Sequence, residues 1–256
     1  MPHILEETGE IDAIPLAMGE VRPGDSIPEK IFEALRTRRL RLVAGDILVL
    51  KHKIVSKAEG QLVALKDVKP SRAAQRWARA HDLDARVSEL ALSQARRIVR
   101  QRNGVLITET RHGWICANSG VDVSNVDGGT SAVLLPKDAD GSAAHIHRAL
   151  KKKFRVHVPV IISDSFGRPW RDGLTEVAIG LAGMPAFRDY RGQRDRFGYS
   201  LRVSLEAVAD ELACVAGLVC GKLTGVPACI IRGFRYSGTR GRAKDLIRPA
   251  ARDLFR

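Results

Sequence analysis

Short strands alternate with helices along this sequence, a pattern compatible with an α+β fold. Three apolar runs, at 47–50, 158–162 and 226–231, have the β-branched density of buried strands. Two segments, at 28–40 and 205–223, have the composition and spacing of helices. The chain has 256 residues, of which 45% are hydrophobic and 28% charged, so it is long enough to bury a core and is typical of a soluble globular protein.

The elements follow in order from the residues themselves. After a turn at 23–25, Pro28 suits the first turn of a helix whose apolar side is Ile31, Phe32 and Leu35. Two helices are expected between 69 and 100, broken near 81–84, with Ile98 and Val99 in the apolar stripe of the second. Later elements are strands at 105–107, 114–117, 174–184 and 199–203, and a helix at 141–153 with Ser142 as its cap.

The segment 51–60 is basic and follows the strand at 47–50. If the strand continued, Lys51, Lys53 and Val55 would share one face. These lysines have two interpretations, a phosphate grip or a wet strand edge that discourages aggregation, and the edge is the commoner case.

The strand at 158–162 stops where Ser163, Asp164 and Ser165 place polar oxygens at its end. A carboxylate and hydroxyls followed by Arg168 and Arg171 suit a hard cation and the phosphates it neutralises. The alternative is a capping aspartate with arginines paired to acidic neighbours.

A second polar cluster, Asp122, Ser124 and Asn125, lies in a loop. Such groups orient a metal and a nucleotide, or they satisfy a tight turn. The Gly221-Lys222 pair is not part of a P-loop, because Ala216 and Leu223 stand where a P-loop needs glycine and a hydroxyl residue. No G-x-G-x-x-G fingerprint follows a strand either.

The formal net charge of +13 has two explanations, a nucleic-acid partner or anionic small ligands in a positive cleft. Aromatic residues make up only 5%, unlike a stacking platform for single strands. The four cysteines contain no C-x-x-C pair and are interpreted as reduced core residues. No apolar run approaches the ~18 residues of a membrane span, and the N-terminus lacks a signal peptide pattern, so a cytoplasmic protein is expected.

Four motifs, KIVSKAEG at 53–60, ANSGVDVSNV at 117–126, SDSFGRPWR at 163–171 and DLFR at 253–256, resemble the coenzyme F-420-0:L-glutamate ligase (gamma-glutamyl ligase) family. The resemblance runs from about residue 11 to the C-terminus. It implies one gamma-glutamyl ligase domain over 1–256, with a division into two subdomains left open and a basic tail at 235–256. The implied fold is α+β, with mixed sheets, flanking helices and an intertwined homodimer.

The resemblance also implies a GTP-dependent ligase that forms an amide between L-glutamate and coenzyme F-420-0, and then further gamma-linked glutamates, through an acyl phosphate. The implied cofactors are Mg²⁺ or Mn²⁺, with K⁺ as an additional cation. Expected partners are these small molecules and a second copy of the chain, and neither nucleic acid nor a membrane is expected.

Site residues are carried over by position. Asp122, Asp164 and Lys57 correspond to the catalytic residues, and Asp122, Asp164 and Ser165 to metal ligands. The implied GTP contacts are Ala17, Met18, Gly19, Glu20, His52, Lys57 and Asn125. Arg168 and Arg171 are assigned to phosphate or substrate carboxylate from their charge and position alone.

Two departures from the family pattern concern nucleotide selectivity. Ala17 and Gly19 replace a glycine and a proline, and His52 stands where a small hydroxyl residue or amide is common. Two rival functions remain open at this point: the same chemistry on a different carboxylate acceptor, and a basic nucleic-acid-binding protein.

Overall fold

A computed structural model describes residues 9–238 and 240–254. The strands in these ranges are β1 Asp12–Leu16, β2 Ile47–Lys51, β3 Leu62–Ala64, β4 Ala95–Arg102, β5 Val105–Thr110, β6 Ile115–Ala117, β7 Ser131–Val133, β8 Val160–Arg168, β9 Arg171–Ala182, β10 Arg188–Asp189, β11 Leu205–Glu206 and β12 Ala228–Arg232. The α-helices are α1 Ile27–Thr37, α2 His52–Ala58, α3 Arg72–His81, α4 Ala85–Gln94, α5 Ala139–Phe154 and α6 Val208–Cys220. The chain is therefore mixed α and β, as expected.

A five-stranded sheet forms the centre, in the order β1-β12-β2-β8-β9. Strands β2 and β8 run parallel, and every other neighbouring pair is antiparallel. Alternation along β2 sends Leu48 and Leu50 into one core and Ile47 and Val49 into another. Helices α1 and α5 contribute to the first core and α6 to the second, so the sheet is covered on both faces.

A smaller antiparallel sheet, β4-β5-β6, lies beside helices α3 and α4. Strands β3 and β7 pair separately, and Leu65, Leu90, Ala132 and Leu134 form a small core there. The connection from β6 leads directly into the loop that carries Asp122, so this sheet anchors one wall of the site described below.

The helix caps agree only in part with the sequence predictions. Ser26 caps α1 by accepting a hydrogen bond from the backbone of Glu29, and Pro28 lies in the first turn. The prediction of Ser142 as the cap of α5 is wrong, because Asp138 accepts from the Gly141 amide and starts the helix two residues earlier. The Ser142 hydroxyl instead donates to Asp138 O within the first turn.

Three segments differ from their predicted form. Strand β8 does not stop at Ser163 but continues to Arg168, because the β8–β9 hairpin supplies partners for its polar half. Residues 52–58 form helix α2, and Lys51 ends β2, a central strand of the sheet, so the strand-edge interpretation of Lys51 and Lys53 is wrong. The helix predicted up to residue 100 ends at Gln94, and Ile98 and Val99 lie in β4, paired with β5.

The segment 199–203 is not a strand either. Ser200 makes an isolated bridge to Arg194, and the nearest strand is the two-residue β11. The helix predicted from residue 205 begins at Val208.

A buried carboxylate helps to tie the C-terminal segment to the body. Asp140, near the start of α5, accepts hydrogen bonds from the backbone amides of Leu181, Ala243 and Lys244 at 2.9, 2.8 and 3.4 Å. Ala243 is fully buried. The last two residues of the DLFR motif and the N-terminal residues 1–8 lie outside the described ranges.

All four cysteines are free, as predicted, and Cys116, Cys220 and Cys229 are buried, whereas Cys214 is only partly buried. Burial, with a smaller contribution from Asp164, raises the pKa of Cys116 to about 12. No helix in the described ranges combines the length and apolar character needed to span a bilayer.

Candidate active site

A charged cavity of about 510 Å³ lies where β2 ends beside the polar half of β8. The parallel register places Lys51 opposite Ser163, so the end of one strand meets the Ser163–Ser165 motif of the other. The remaining walls come from Gly19 and Glu20, from α2, from the Asp122 loop and from the loop after α6. Segments that are more than 200 residues apart in sequence therefore share one cavity.

Asp122 is held by Lys53, a lysine of helix α2. Lys53 Nζ donates to Asp122 Oδ2 at 2.7 Å and to the backbone oxygen and hydroxyl of Ser124 at 2.8 and 2.9 Å. The Ser124 amide donates to the other carboxylate oxygen at 2.6 Å. Burial raises the pKa of Asp122, but the hydrogen bonds from Lys53 and Ser124 outweigh it and hold this pKa below its usual value. The Lys53 ammonium therefore lies among oxygen atoms of Asp122 and Ser124.

Asp164 lies on β8 with its carboxylate beside the imidazole of His52. Asp164 Oδ1 accepts from the Ser165 amide at 2.7 Å and lies 3.2 Å from His52 Nε2. The distance between Nε2 and Oδ1 is within the range of an ion pair, and Nε2 has no hydrogen-bond partner among the described residues.

Glu176, on β9 opposite Ser165, binds several of the side chains that line the cavity. Its carboxylate accepts from the hydroxyls of Ser163 and Ser165 at 3.0 and 2.7 Å and from Lys51 Nζ at 2.6 Å. Lys222, in the loop after α6, donates to the Ser165 hydroxyl. Burial raises the pKa of Glu176, but these hydrogen bonds and the Lys51 charge hold it below its usual value. Glu176 is therefore an ionised anchor for two lysines and two hydroxyls.

Two further contacts connect the walls. Lys57, in the last turn of α2, donates to Glu20 Oε1 at 2.9 Å. The Asn125 side chain donates to the backbone oxygen of Lys222 at 3.4 Å, and Asn125 itself has a left-handed backbone with φ of 55°. The Asp122 loop and the loop after α6 thus meet across the cavity.

The cavity brings together most of the residues predicted from the sequence. Its lining includes Gly19, Glu20, His52, Lys57, Asp122, Asn125, Asp164 and Ser165. Ala17 and Met18 precede this wall and do not line it. Arg168 and Arg171 lie at the exposed turn of the β8–β9 hairpin, away from the lining, where Arg168 donates to the backbone oxygen of Asp172 at 3.0 Å.

Sequence reasoning missed several residues of the site. The sequence offers Lys51 as part of a phosphate grip but does not assign it to the site, and Lys222 has a visible signal, since it follows a glycine at the end of a helix. Glu176 had none, because only the hairpin register places it opposite Ser165. The segment 221–227 also lines the cavity although it is not a P-loop.

The donor set suits a hard divalent cation. Asp122, Asp164 and Ser165 offer carboxylate and hydroxyl oxygens to one cavity, the type of ligand preferred by Mg²⁺ and Mn²⁺. Lys53 already lies on Asp122 and Lys222 on Ser165, so two of these three groups bind an ammonium group. The described residues contain no cluster of three or more acidic, histidine or cysteine ligands. Phosphate oxygens of a bound nucleotide are the usual way to complete such a site.

The fold and the cavity define a class: an α+β protein with a cavity of interleaved carboxylates and ammonium groups, suited to anionic ligands and a cation. Residues 15–233 match the model of the family described as F420-0:Gamma-glutamyl ligase. The chain belongs to this family.

Proteins named Coenzyme F420:L-glutamate ligase are similar along nearly the whole chain. The one from Methanothermobacter thermautotrophicus is 43% identical over 249 residues, covering 96% of this chain and 97% of that protein. The one from Methanopyrus kandleri is 42% identical over 255 residues, covering 97% and 98%. The one from Methanocaldococcus jannaschii is 42% identical over 213 residues, covering 83% and 85%.

Proposed function

We propose that this protein is a GTP- and divalent-cation-dependent ligase that joins the amine of L-glutamate to the carboxylate of coenzyme F-420-0. Family membership and the names of its relatives support the reaction class. The observation that carries the proposal for this chain is the cavity itself. It collects the 19–20, 52–57, 122–125 and 163–165 segments, which hold eight of the site residues predicted from the sequence.

The proposed reaction has two steps. A carboxylate oxygen of the acceptor attacks the terminal phosphorus of GTP, and GDP leaves. The glutamate amine then attacks the acyl carbon, and inorganic phosphate leaves as the nitrogen loses a proton. Activation is needed because a free carboxylate is a poor electrophile.

The lysines of the cavity suit the phosphates in this scheme. Two of them belong to α2, where Lys57 contacts Glu20 and Lys53 contacts Asp122. The other two lie near Glu176: Lys51 contacts its carboxylate, and Lys222 contacts the Ser165 hydroxyl. Such point charges neutralise the charge that develops during phosphoryl transfer. Asp122, Asp164 and Ser165 would hold the divalent cation, which when bound supplies further neutralisation between nucleotide and acceptor. K⁺ is retained as an additional cation of the proposal.

A homodimer is part of the proposal. Several large apolar side chains are strongly exposed in the single chain, among them Phe197 at 80%, Val203 at 87% and Leu218 at 86%. We infer that a second copy of the chain covers these side chains. Sedimentation equilibrium should give about twice the mass of one chain, and a single-chain mass would contradict this part of the proposal.

The test is GDP release by purified protein with GTP, L-glutamate, coenzyme F-420-0 and Mn²⁺ or Mg²⁺, with each component omitted in turn. Turnover should require every component and should fall at least ~100-fold in Asp164→Asn, since the substitution removes a charge from the proposed cation site. Asp67→Asn is the matched control, because Asp67 is exposed and lies outside the cavity.

The other results have definite meanings. Turnover that needs glutamate but not F-420-0 would identify a different carboxylate acceptor. GDP release that needs neither would show simple hydrolysis. Full activity of Asp164→Asn would contradict the assigned site.

A further inference from the structure

The excess positive charge of the chain does not lie in the cavity. Four lysines line the cavity, and carboxylates that line it or contact those lysines match them in number: Glu20, Asp122, Asp164 and Glu176. The formal net charge of +13 therefore belongs to other parts of the molecule. Small anionic ligands held in the cavity leave this charge unexplained.

Eight exposed basic side chains lie where helices α1 and α5 end. They belong to the last turns of these helices or follow them directly, and together they are named the helix-end patch: Arg36, Arg38, Arg39, Arg41, Lys151, Lys152, Lys153 and Arg155. The two helix ends touch, since the rings of Phe32 and Phe154 have centroids 5.3 Å apart and Lys153 Nζ lies 5.5 Å from the Phe32 centroid. The two basic segments therefore form one surface.

The helix-end patch lies at the edge of the central sheet opposite the cavity. Helix α1 leads into β2 and α5 leads into β8, so each helix ends on the side where its strand begins. Arg41 shows this directly, because its backbone oxygen accepts from Arg232, which pairs with Asp46 just before β2. The cavity lies at the other ends of these parallel strands, and none of the eight residues lines it. A ligand on the patch is therefore separate from the ligands of the proposed reaction.

The helix dipole accounts for only part of the patch. Basic side chains in a last turn, such as Arg36 and Lys151, stabilise the negative end of a helix. Arg39 and Arg155 lie beyond the helices with left-handed backbone, at φ of 52° and 60°, where glycine or asparagine is favoured. The ion pairs within the described ranges involve none of the eight residues. Unpaired charge is thus kept even where it costs backbone energy.

The chemistry of the patch fits a row of phosphates. Five of its eight members are arginines, whose guanidinium group binds phosphate through two parallel hydrogen bonds. Segments 32–41 and 150–156 contain no strongly exposed large apolar side chain. The patch therefore lacks the groups that insert into a bilayer or form the core of a protein interface. It also lacks an exposed aromatic ring on which a base could stack.

We propose that the helix-end patch binds the phosphate backbone of nucleic acid without selecting a sequence. This binding activity goes beyond the proposed ligase reaction and does not depend on it. Because it rests on charge alone, it should weaken steeply with salt, each phosphate contact adding about 0.9 to the slope of log K against log salt concentration.

The experiment measures binding of a fluorescent DNA duplex of about 20 base pairs to the whole protein by anisotropy, over a range of KCl concentrations. The patch variant combines four exchanges: Arg36→Gln, Arg39→Gln, Lys151→Gln and Lys152→Gln. It leaves in place the contacts of Arg38 with Pro15 O and of Lys153 with Phe32. Its affinity at low salt should fall at least ~10-fold, and the salt slope should become shallower by about 3–4, because four phosphate contacts are lost.

A matched control removes the same charge from α3 and β4. It combines exchanges of four exposed arginines outside the patch and the cavity: Arg72→Gln, Arg76→Gln, Arg100→Gln and Arg102→Gln. Its affinity should stay within about 2-fold of the wild type, since contacts rather than net charge dominate the affinity. An RNA duplex of the same length is measured in parallel, and patch-dependent binding of either duplex supports the proposal.

Four results would overturn the proposal. These are no binding of either duplex, equal losses of affinity in the two quadruple variants, displacement of the duplex by GTP and Mg²⁺ at constant ionic strength, and patch-dependent binding of phosphatidylserine vesicles but of neither duplex. If the patch variant does not fold, lysine acetylation of the wild type decides. The duplex should protect Lys151, Lys152 and Lys153 but not the exposed Lys66, and equal reactivity with and without duplex would refute the assignment.

Discussion

Gly217→Ala should destabilise the protein, although alanine is the better helix former. In a helix interior this exchange is worth about 1 kcal/mol in favour of alanine. Here a Cβ at position 217 of α6 would lie 2.5 Å from Cγ of Glu176. Glu176 cannot withdraw freely, because Lys51 and two serine hydroxyls hold its carboxylate.

The magnitude follows from these opposing terms. Displacing Glu176 weakens hydrogen bonds that are worth about 1.5–3 kcal/mol each when a charged group takes part. Overpacking costs about 1–3 kcal/mol in typical cores. We expect the free energy of unfolding to fall by about 1–3 kcal/mol in the single variant, after the helix-propensity gain is subtracted.

The assay is urea denaturation of a double-mutant cycle. In a Glu176→Ala background the colliding Cγ is gone, so Gly217→Ala should reverse sign and stabilise by about 1 kcal/mol. The explanation is refuted if Gly217→Ala raises the urea midpoint of the otherwise wild-type protein, or if it changes stability equally in both backgrounds. Either result would show that a clash with Glu176 is not what requires glycine at position 217.

Three further predictions concern charge and packing. Asp46→Asn should lower the free energy of unfolding by about 3 kcal/mol in urea, because it leaves Arg232 without the fully buried carboxylate that it contacts at 2.7 and 2.9 Å. Unchanged stability would contradict the importance of this pair. Because the folded-state pKa of Glu176 lies below the ordinary 4.5, its stabilising effect is present above pH 4.5 and is lost as the pH falls through the folded-state pKa. Below pH 4.5 the free energy of unfolding should therefore fall more steeply with decreasing pH in the wild type than in Glu176→Gln. Parallel curves for the two proteins would refute this. Gly180→Ala should cost about 1–3 kcal/mol by thermal or urea unfolding, since its Cβ would lie 2.4 Å from a backbone oxygen of α5, whereas Gly167→Ala, with open space around it, should not.

Much of the central fold was predictable because its strands are apolar on both faces. The runs at 47–50, 158–162 and 226–231 correspond to β2, β8 and β12, which are buried between two cores and carry an unbroken β-branched signal. The sequence predicts a helix where the basic strand β4 lies, because this strand is exposed and follows a helix without a break signal. Its pairing with β5 is a tertiary fact that local propensity does not contain.

The candidate site was predictable where its residues form contiguous motifs. Asp122, Asp164 and Lys57 were named from the sequence, and all three line the cavity. Glu176 was not named, because it lies on an otherwise ordinary strand and its role depends on the hairpin register. The segment 52–58 showed the limit of periodicity, since a seven-residue run supports helix and strand equally well.

The pairing of β1 with β12 has a consequence for the protein during its synthesis. Asp12 and Arg232 face each other in the sheet, and β12 is the strand that joins β1 to the rest. A nascent chain has therefore made β1 about 200 residues before its partner strand leaves the ribosome, and the central sheet closes only after β12 has emerged. Until then β1 has no partner strand, so slow or interrupted translation of the residues that precede β12 should expose the growing chain to aggregation or to chaperones.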